Sequence, residues 1–348
     1  MKRICFILGS MGMGGAEKVV SVLANDYAEE GWQVDILLLL SYEIKYRLNP
    51  AVKVYDCTGN QSKSRIRRVP NWMYDIKRYA IKKKPDVILS FAARINIITY
   101  FSCRKYVNKL FMSERNDPKH DGRGKIVNML VNYIYPKTEG IIFQTKRVQG
   151  YFPKLKNGHV ICNPIFIQAT ASAVTSKRVV TVGRLSAQKN QKMLINAFHM
   201  IADKYPDYIL EIYGEGELKE ELQKQINEYG LEKRIILKGT FINIHERIAD
   251  ATLFILSSDY EGLSNALLEA LMMGIPCIST NCAGADEFIE SGVNGLLTPV
   301  GDAAKMAISI DRMLGDKELR AYCGRNAREK AQSFSKDKVL RLWHELMG

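Results

Sequence analysis

The sequence predicts an α/β protein made of two doubly wound halves facing a cleft, and three observations carry that expectation. The chain has 348 residues, beyond the size at which a single core keeps growing, so two domains of ordinary size are expected. Short β-rich apolar runs alternate with helical patterns in both halves, the mark of parallel sheets covered on both faces. Between the halves, the stretch from Pro164 to about Lys177 is weak in pattern and rich in Ala, Ser and Thr, which fits an inter-domain linker. The expected division is 1–165 and 166–335, with a last helix over 336–348.

Taken in order, the first half offers strands at 3–8, 33–40, 52–55, 87–90 and 110–113, then 141–143 and 160–161. Each is a short run dominated by Val, Ile, Leu and Phe, the pattern of a strand buried on both faces. A helix is expected over about 16–30, and a basic amphipathic helix over 77–84. The second half repeats the alternation, with strands at 179–182, 209–213, 235–237, 253–256 and 276–279 and a helical pattern over 193–201. Residues 336–347 read as a final amphipathic helix with Val339, Leu342, Trp343 and Leu346 on one side.

Seven scattered cysteines form neither a CxxC pair nor an even framework, so reduced thiols in a cytoplasmic protein are expected. Cys5 and Cys277 lie in apolar runs and read as small core hydrophobes. The apolar run at the amino terminus is too short for a signal peptide, and no window reaches the roughly 18 apolar residues of a membrane span.

The formal charge of +13 is uneven. Residues 1–165 hold 28 Lys and Arg against 13 Asp and Glu, and the remainder holds 22 against 24. The densest cations, Lys63 to Arg68 and Lys77 to Lys84, have Trp72, Tyr74 and Tyr79 beside them. A basic helix with aromatic residues suits an anionic membrane surface, so peripheral association with the inner face of the plasma membrane is expected. The plainer alternative is a solvated basic face. Nucleic acid is excluded as a partner, because no helix-turn-helix, zinc finger or RNA-binding signature accompanies the charge.

The chemistry concentrates in two segments, Gly183-Arg-Leu-Ser-Ala-Gln-Lys189 and Glu261-Gly-Leu-Ser-Asn-Ala-Leu-Leu-Glu269. Each follows an expected buried strand and precedes an expected helix, so both fall at the carboxyl edge of one sheet, where ligands dock. Carboxylates accept hydrogen bonds from sugar and ribose hydroxyls but repel phosphate, which needs cations from elsewhere. Arg184 and Lys189 are placed to supply them. The spacing of eight between Glu261 and Glu269 is close to two helical turns, so a helix starting near Leu263 would let both address one ligand. No Asp-x-Asp occurs in the chain, and a cationic pair on a diphosphate can do the work of a metal ion.

Together these segments resemble the family 4 retaining glycosyltransferases, which have the GT-B fold of two Rossmann-like domains. The resemblance runs from Gly12-Met-Gly-Gly-Ala-Glu17 to the carboxyl-terminal helix. It implies that Glu261 lies over the donor sugar, that Glu269 binds the ribose, and that Arg184 and Lys189 grip the diphosphate. It also implies donor contacts from Gly14, Gly15, Gly214, Phe241, Leu263, Ser264 and Asn265, with no metal. In GT-B enzymes the first domain binds the acceptor, the second binds the nucleotide sugar, and the last helix crosses back onto the first, which implies a contact for Trp343.

Ser113-Glu-Arg-Asn-Asp-Pro118 is similar to a subgroup of bacterial transferases that build capsule, O-antigen or lipid-linked glycans. Where many family members carry a donor-contacting histidine this chain has Arg115, so Glu114 and Arg115 are candidate active-site residues, with His120 a substitute from the nearby loop. The expected activity is transfer of a hexose or N-acetylhexosamine from a UDP-sugar to a lipid-linked or membrane-proximal hydroxyl. Two alternatives remain: a GT-B peripheral membrane protein without catalysis, and a phosphorolytic or epimerase enzyme of the same fold. A Rossmann dehydrogenase is disfavoured, because Glu17 stands where the third glycine of G-x-G-x-x-G belongs.

Overall fold

The computed structural model describes residues 1–12, 14–165, 167, 176–241, 243–282 and 284–348. Most of the expected linker, 168–175, lies outside them. The chain divides into two compact units, Met1–Pro164 with Val339–Gly348, and Ile165–Lys338.

The first unit is a seven-stranded, all-parallel sheet of β1 (Arg3–Leu8), β2 (Gln33–Leu38), β3 (Lys53–Asp56), β4 (Val87–Phe91), β5 (Lys109–Glu114), β6 (Gly140–Phe143) and β7 (Gly158–Val160). Its helices are α1 (Gly15–Glu29), α2 (Arg65–Lys83), α3 (Ala93–Cys103), α4 (Lys125–Ile134) and α5 (Lys146–Gln149). The strand order β3-β2-β1-β4-β5-β6-β7 reverses direction between β1 and β4. At such a switch point the loops leaving the two strands diverge and open a crevice.

The second unit repeats that order with β8 (Arg178–Val182), β9 (Ile209–Tyr213), β10 (Ile235–Gly239), β11 (Leu253–Leu256), β12 (Cys277–Thr280) and β13 (Leu296–Thr298). Its helices are α6 (Gln191–His199), α7 (Lys219–Glu228), α8 (Ile244–Ile248), α9 (Asn265–Met273), α10 (Ala285–Phe288), α11 (Ala303–Gly315) and α12 (Lys317–Ala331), and α13 (Lys336–Met347) follows. Here the switch lies between β8 and β11, which pair in register at Leu253 with Val179 and Phe254 with Val180. Both strands are fully apolar at the pairing, as strands covered on two faces must be.

Three details differ from the sequence reading. The two basic stretches belong to one helix, α2, which runs through Pro70. Pro70 lies in the second turn, and the carbonyl its missing N–H leaves unpaired belongs to Ile66, which is 83% exposed and open to water. That helix also turns Trp72 and Tyr79 into the core, at 4% and 8% exposure, and the Tyr79 hydroxyl donates to Asp35 at 2.5 Å. Neither aromatic is available to a membrane. Finally, β13 has only three residues, too few to show a period.

In α13 the buried face is Val339, Leu340, Trp343 and Met347, whereas Leu342 is exposed. Trp343 is wholly buried, the Tyr27 hydroxyl of α1 donates to its carbonyl at 3.3 Å, and His344 Nε2 meets Asp26 at 2.6 Å. All seven cysteines are free and buried. Among the described residues no helix is long and apolar enough to cross a membrane.

Candidate functional site

The loops leaving β8 and β11 flank the switch point of the second unit, and they are laced together. Asp259 N donates to Gln188 O at 2.9 Å, Gln188 Nε2 to Tyr260 O at 3.0 Å, and Ser257 Oγ to Lys189 O at 2.8 Å. Asn190 completes the lacing. It adopts a left-handed backbone (φ 44°, ψ 47°), accepts from Met193 N at 3.2 Å as the cap of α6, and donates to Asp259 Oδ1 at 2.7 Å. Asn tolerates this conformation better than other non-glycine residues because its short amide bonds locally.

This lacing brings the ammonium of Lys189 onto Glu261 Oε1, and Ser258 Oγ donates to the same oxygen at 2.7 Å. Glu261 is 7% exposed, so the cation offsets much of the cost of burying its charge. An ammonium has three donors, which leaves Lys189 able to hold Glu261 and a second acceptor at once. Arg184 stands at the start of the same loop, exposed, and its guanidinium has no partner among the described residues. It is the uncommitted cation of the site.

Helix α9 starts at Asn265, later than the expected position near Leu263, with Ser264 as its cap accepting from Leu267 N at 3.4 Å. Glu261 therefore stays in the loop, and the two glutamates answer to different partners. Glu269 is buried on α9, with His245 Nε2 of α8 3.1 Å from its Oε2. That approach lacks hydrogen-bond alignment, leaving the buried His245 Nε2 without a bonded acceptor. Leu263, Ser264 and Asn265 form the turn into α9, with Leu263 and Ser264 buried. Ser264→Ala should cost about 1 kcal/mol, the usual effect of losing a cap, read as a shift in the urea midpoint.

Gly214 has a role other than clearing space for a nucleotide. Its φ is 145°, and a Cβ there would sit 2.0 Å from the carbonyl oxygen of Gly183. Glycine is required so that the loops after β8 and β9 can touch, as the bond from Gly183 N to Tyr213 O at 2.9 Å requires. Phe241 is half-buried, with its ring edge-on to Tyr213 at 5.8 Å and the Arg247 guanidinium 4.9 Å from its centroid.

In the first unit Gly14 caps α1 and Gly15 opens it. The free amides there were expected to approach a phosphate. Instead the Glu17 carboxylate folds back so closely that it fills the place of a Gly14 Cβ, and Ser10 Oγ donates to it at 3.3 Å. A carboxylate at a helix N-terminus takes the position an anion would use.

Glu114 ends β5 in a buried ion pair. Arg123 donates to both its oxygens, at 2.8 and 2.7 Å, and the Tyr135 hydroxyl adds a bond at 2.9 Å. Asn96 Nδ2 donates to that hydroxyl at 3.1 Å and to Ser113 O at 3.2 Å, while Ser90 Oγ donates to Asn96 Oδ1 at 2.8 Å. Burial pushes the Glu114 carboxyl up, with Arg123 pulling it back, and pushes the Tyr135 hydroxyl well up. With three hydrogen bonds on its two oxygens, Glu114 braces the ends of β4 and β5 and is poorly placed for proton transfer, against the catalytic expectation. Arg115 is likewise buried. Its guanidinium donates to Asn163 Oδ1 at 2.7 Å and lies 5.6 Å over Phe91, and burial lowers its pKa to about 10. Its Nε has no hydrogen-bond partner among the described residues. His120 is half-exposed and bonded to Asp117 at 2.9 Å.

Sequence reasoning missed Arg123, Ser258, Asn190 and His245. Asn190 alone carried a signal, as a capping residue just before a helical pattern. Among the described residues one trio of metal-capable side chains converges, Asp26, Glu30 and His344. It is the ion-paired contact by which α13 meets α1.

Comparison with known proteins agrees with this geometry. Residues 163–330 match the family described as glycosyl transferases group 1. Over 98% of this chain and 98% of its own length, an N-acetylgalactosamine-N,N'-diacetylbacillosaminyl-diphospho-undecaprenol 4-alpha-N-acetylgalactosaminyltransferase of Campylobacter jejuni is 28% identical. Sucrose-phosphate synthase from Thermosynechococcus elongatus superposes with a TM-score of 0.87 over 99% of this chain and 98% of that one, at 19% identity. Anabaena HepE, solved with UDP and glucose, gives 0.82 over 99% of each chain at 22% identity. With two parallel α/β units of the same strand order and the laced cationic and acidic loops in the matched region, the chain has the GT-B fold and its residues 163–330 form a glycosyl transferases group 1 domain.

Proposed function

We propose that this enzyme moves a hexose or N-acetylhexosamine from a UDP-sugar to a hydroxyl of a lipid-linked or membrane-proximal glycan in bacterial surface polysaccharide synthesis, with retention of configuration and without a metal. The carrying observation is Lys189 held on Glu261 beside the uncommitted Arg184, all at the switch point of the second unit. Support for the acceptor class comes from the Campylobacter relative, whose name specifies a diphospho-undecaprenol substrate. The donor nucleotide is supported by HepE, solved with UDP.

In this reading Arg184 and Lys189 take the diphosphate and stabilise the charge that builds on it as the anomeric C–O bond breaks. The acceptor oxygen bonds to the anomeric carbon on the face the phosphate leaves, and the leaving phosphate takes the acceptor proton. Glu261, fixed by Ser258 and Lys189, orients the sugar and stabilises its developing positive charge. Glu269 accepts from the ribose hydroxyls. The first unit receives the acceptor, and its surplus of cations favours an anionic membrane. A non-catalytic binding protein is disfavoured, because all four charges are present.

The test is a thermal-shift panel of UDP-, GDP- and ADP-linked sugars, followed by NMR of the product linkage. Stabilisation by a UDP-sugar with retained anomeric configuration is expected. An inverted product, or stabilisation by none of the panel, sinks the reading.

A further inference from the structure

In the first unit, α3 and α4 have an unusual outer face. Over 93–106 and 124–137, each helix with the single turn after it, the cations are Arg94, Arg104, Lys105, Lys125 and Lys137, and there is no carboxylate. Besides exposed Lys125, Asn128 and Asn132, α4 turns three large apolar side chains to solvent, with Ile126 71%, Met129 63% and Tyr133 55% exposed. Spacings of three and four put them on one face. Phe101 of α3 and Tyr106 just beyond it are also exposed.

Contacts join these residues into one surface. The Lys137 ammonium lies 3.2 Å from the centroid of the Tyr133 ring, Arg104 Nε donates to the Lys137 carbonyl at 3.0 Å, and Lys77 of α2 lies 5.6 Å over Tyr106. A helix on the outside of a globular unit ordinarily turns polar residues to water. Here the outward stripe is apolar and its surroundings are cationic.

From this we infer that the α3–α4 face is the surface by which the protein docks on an anionic bilayer, with Ile126, Met129 and Tyr133 entering the headgroup boundary and Lys125, Lys137 and Lys105 meeting the lipid phosphates. The chemistry selects that occupant. Apolar side chains ringed by lysines that reach upward match the layered polarity of an anionic lipid surface. A second copy related by a two-fold axis would set this face, whose one nearby carboxylate is Glu139, paired with Arg104 at 3.6 Å, against itself, cation against cation. Nucleic acid would leave the apolar stripe with nothing to bury it. Of the three aromatics expected beside the α2 cations, Trp72 and Tyr79 are in the core while Tyr74 is 63% exposed, and Lys77 of α2 joins the rim of the α3–α4 face. The inference shares with the proposed function the expectation of a membrane-borne acceptor, but vesicle binding needs no donor.

Co-sedimentation of the full chain with phosphatidylcholine vesicles, with and without about a third phosphatidylglycerol, tests it. Wild type should bind the anionic vesicles and not the neutral ones. Ile126→Ser/Met129→Ser/Tyr133→Ser should lower binding at least about tenfold, as the loss of a buried apolar face demands, and Lys125→Glu/Lys137→Glu about tenfold through charge. Equal binding by wild type and the triple variant overturns the inference, as does equal binding to both lipids. So does a wild-type dimer in sedimentation equilibrium that the triple variant dissociates, since the occupant would then be a second copy. Nucleotide thermal shift on the triple variant reports that its fold is intact. Failure of UDP to stabilise wild type would count against the transferase reading alone.

Discussion

Replacing Lys189 by alanine should lower turnover about a hundredfold or more, the scale of losing one charge contact to the transition state. The expected loss falls on kcat more than on KM, because the contact strengthens as the leaving diphosphate gains charge. The same change leaves the Glu261 carboxylate buried without its cation, so some loss of stability is expected too. A second variant separates the two effects. In Lys189→Ala/Glu261→Gln no stranded charge remains, so stability should recover while turnover stays low. Steady-state kinetics with unfolding curves on both variants decide the matter, and near-wild-type kinetics in Lys189→Ala removes the phosphate role.

Arg123→Ala should be the most destabilising single change in the first unit. Arg123 and Glu114 side chains are each 1% exposed, and removing the cation strands two carboxylates, Glu114, then held by Tyr135 alone, and the mostly buried Asp121. Breaking a buried pair in this way costs about 3–5 kcal/mol. Arg123→Met/Glu114→Gln/Asp121→Asn, which removes all three charges at similar volume, should regain most of that. Urea unfolding measures both variants. A loss under about 1 kcal/mol in Arg123→Ala would show that water reaches Glu114 and that it does not brace the sheet.

The contrast between these two ion pairs shows what a sequence discloses. The cationic and acidic loops were legible because each follows a buried apolar run and precedes a helical pattern, so both had to fall at one sheet edge. That Lys189 would sit on Glu261 was not legible. They are 72 residues apart, and only the strand order that sets β8 beside β11 makes them neighbours. The segment around Glu114 reads as an active-site loop because it ends a buried strand and is similar to that of a transferase subgroup. Its true partner, Arg123, lies beyond a turn that has no periodic pattern.

Strand and helix positions followed the same logic. Runs such as 253–256 are long and apolar enough to declare themselves, whereas Leu296–Thr298 is a strand only because β12 pairs with it. Two of the three aromatic residues named on α2, Trp72 and Tyr79, misled for a related reason, while Tyr74 is exposed. A basic helix with Trp and Tyr can present them to lipid or to its own core, and only packing against β2 decides, through the bond from Tyr79 to Asp35.

The return of residues 339–348 to the first unit constrains how the molecule is made. Trp343, wholly enclosed there, is synthesised only after the entire second unit. The nascent first unit must therefore wait, with the pocket for that indole open to water and to chaperones, while some 170 intervening residues emerge and fold. Its maturation is a two-ended event, sealed by a segment from the far side of its neighbour, and clipping α13 would return it to that open, translation-like state.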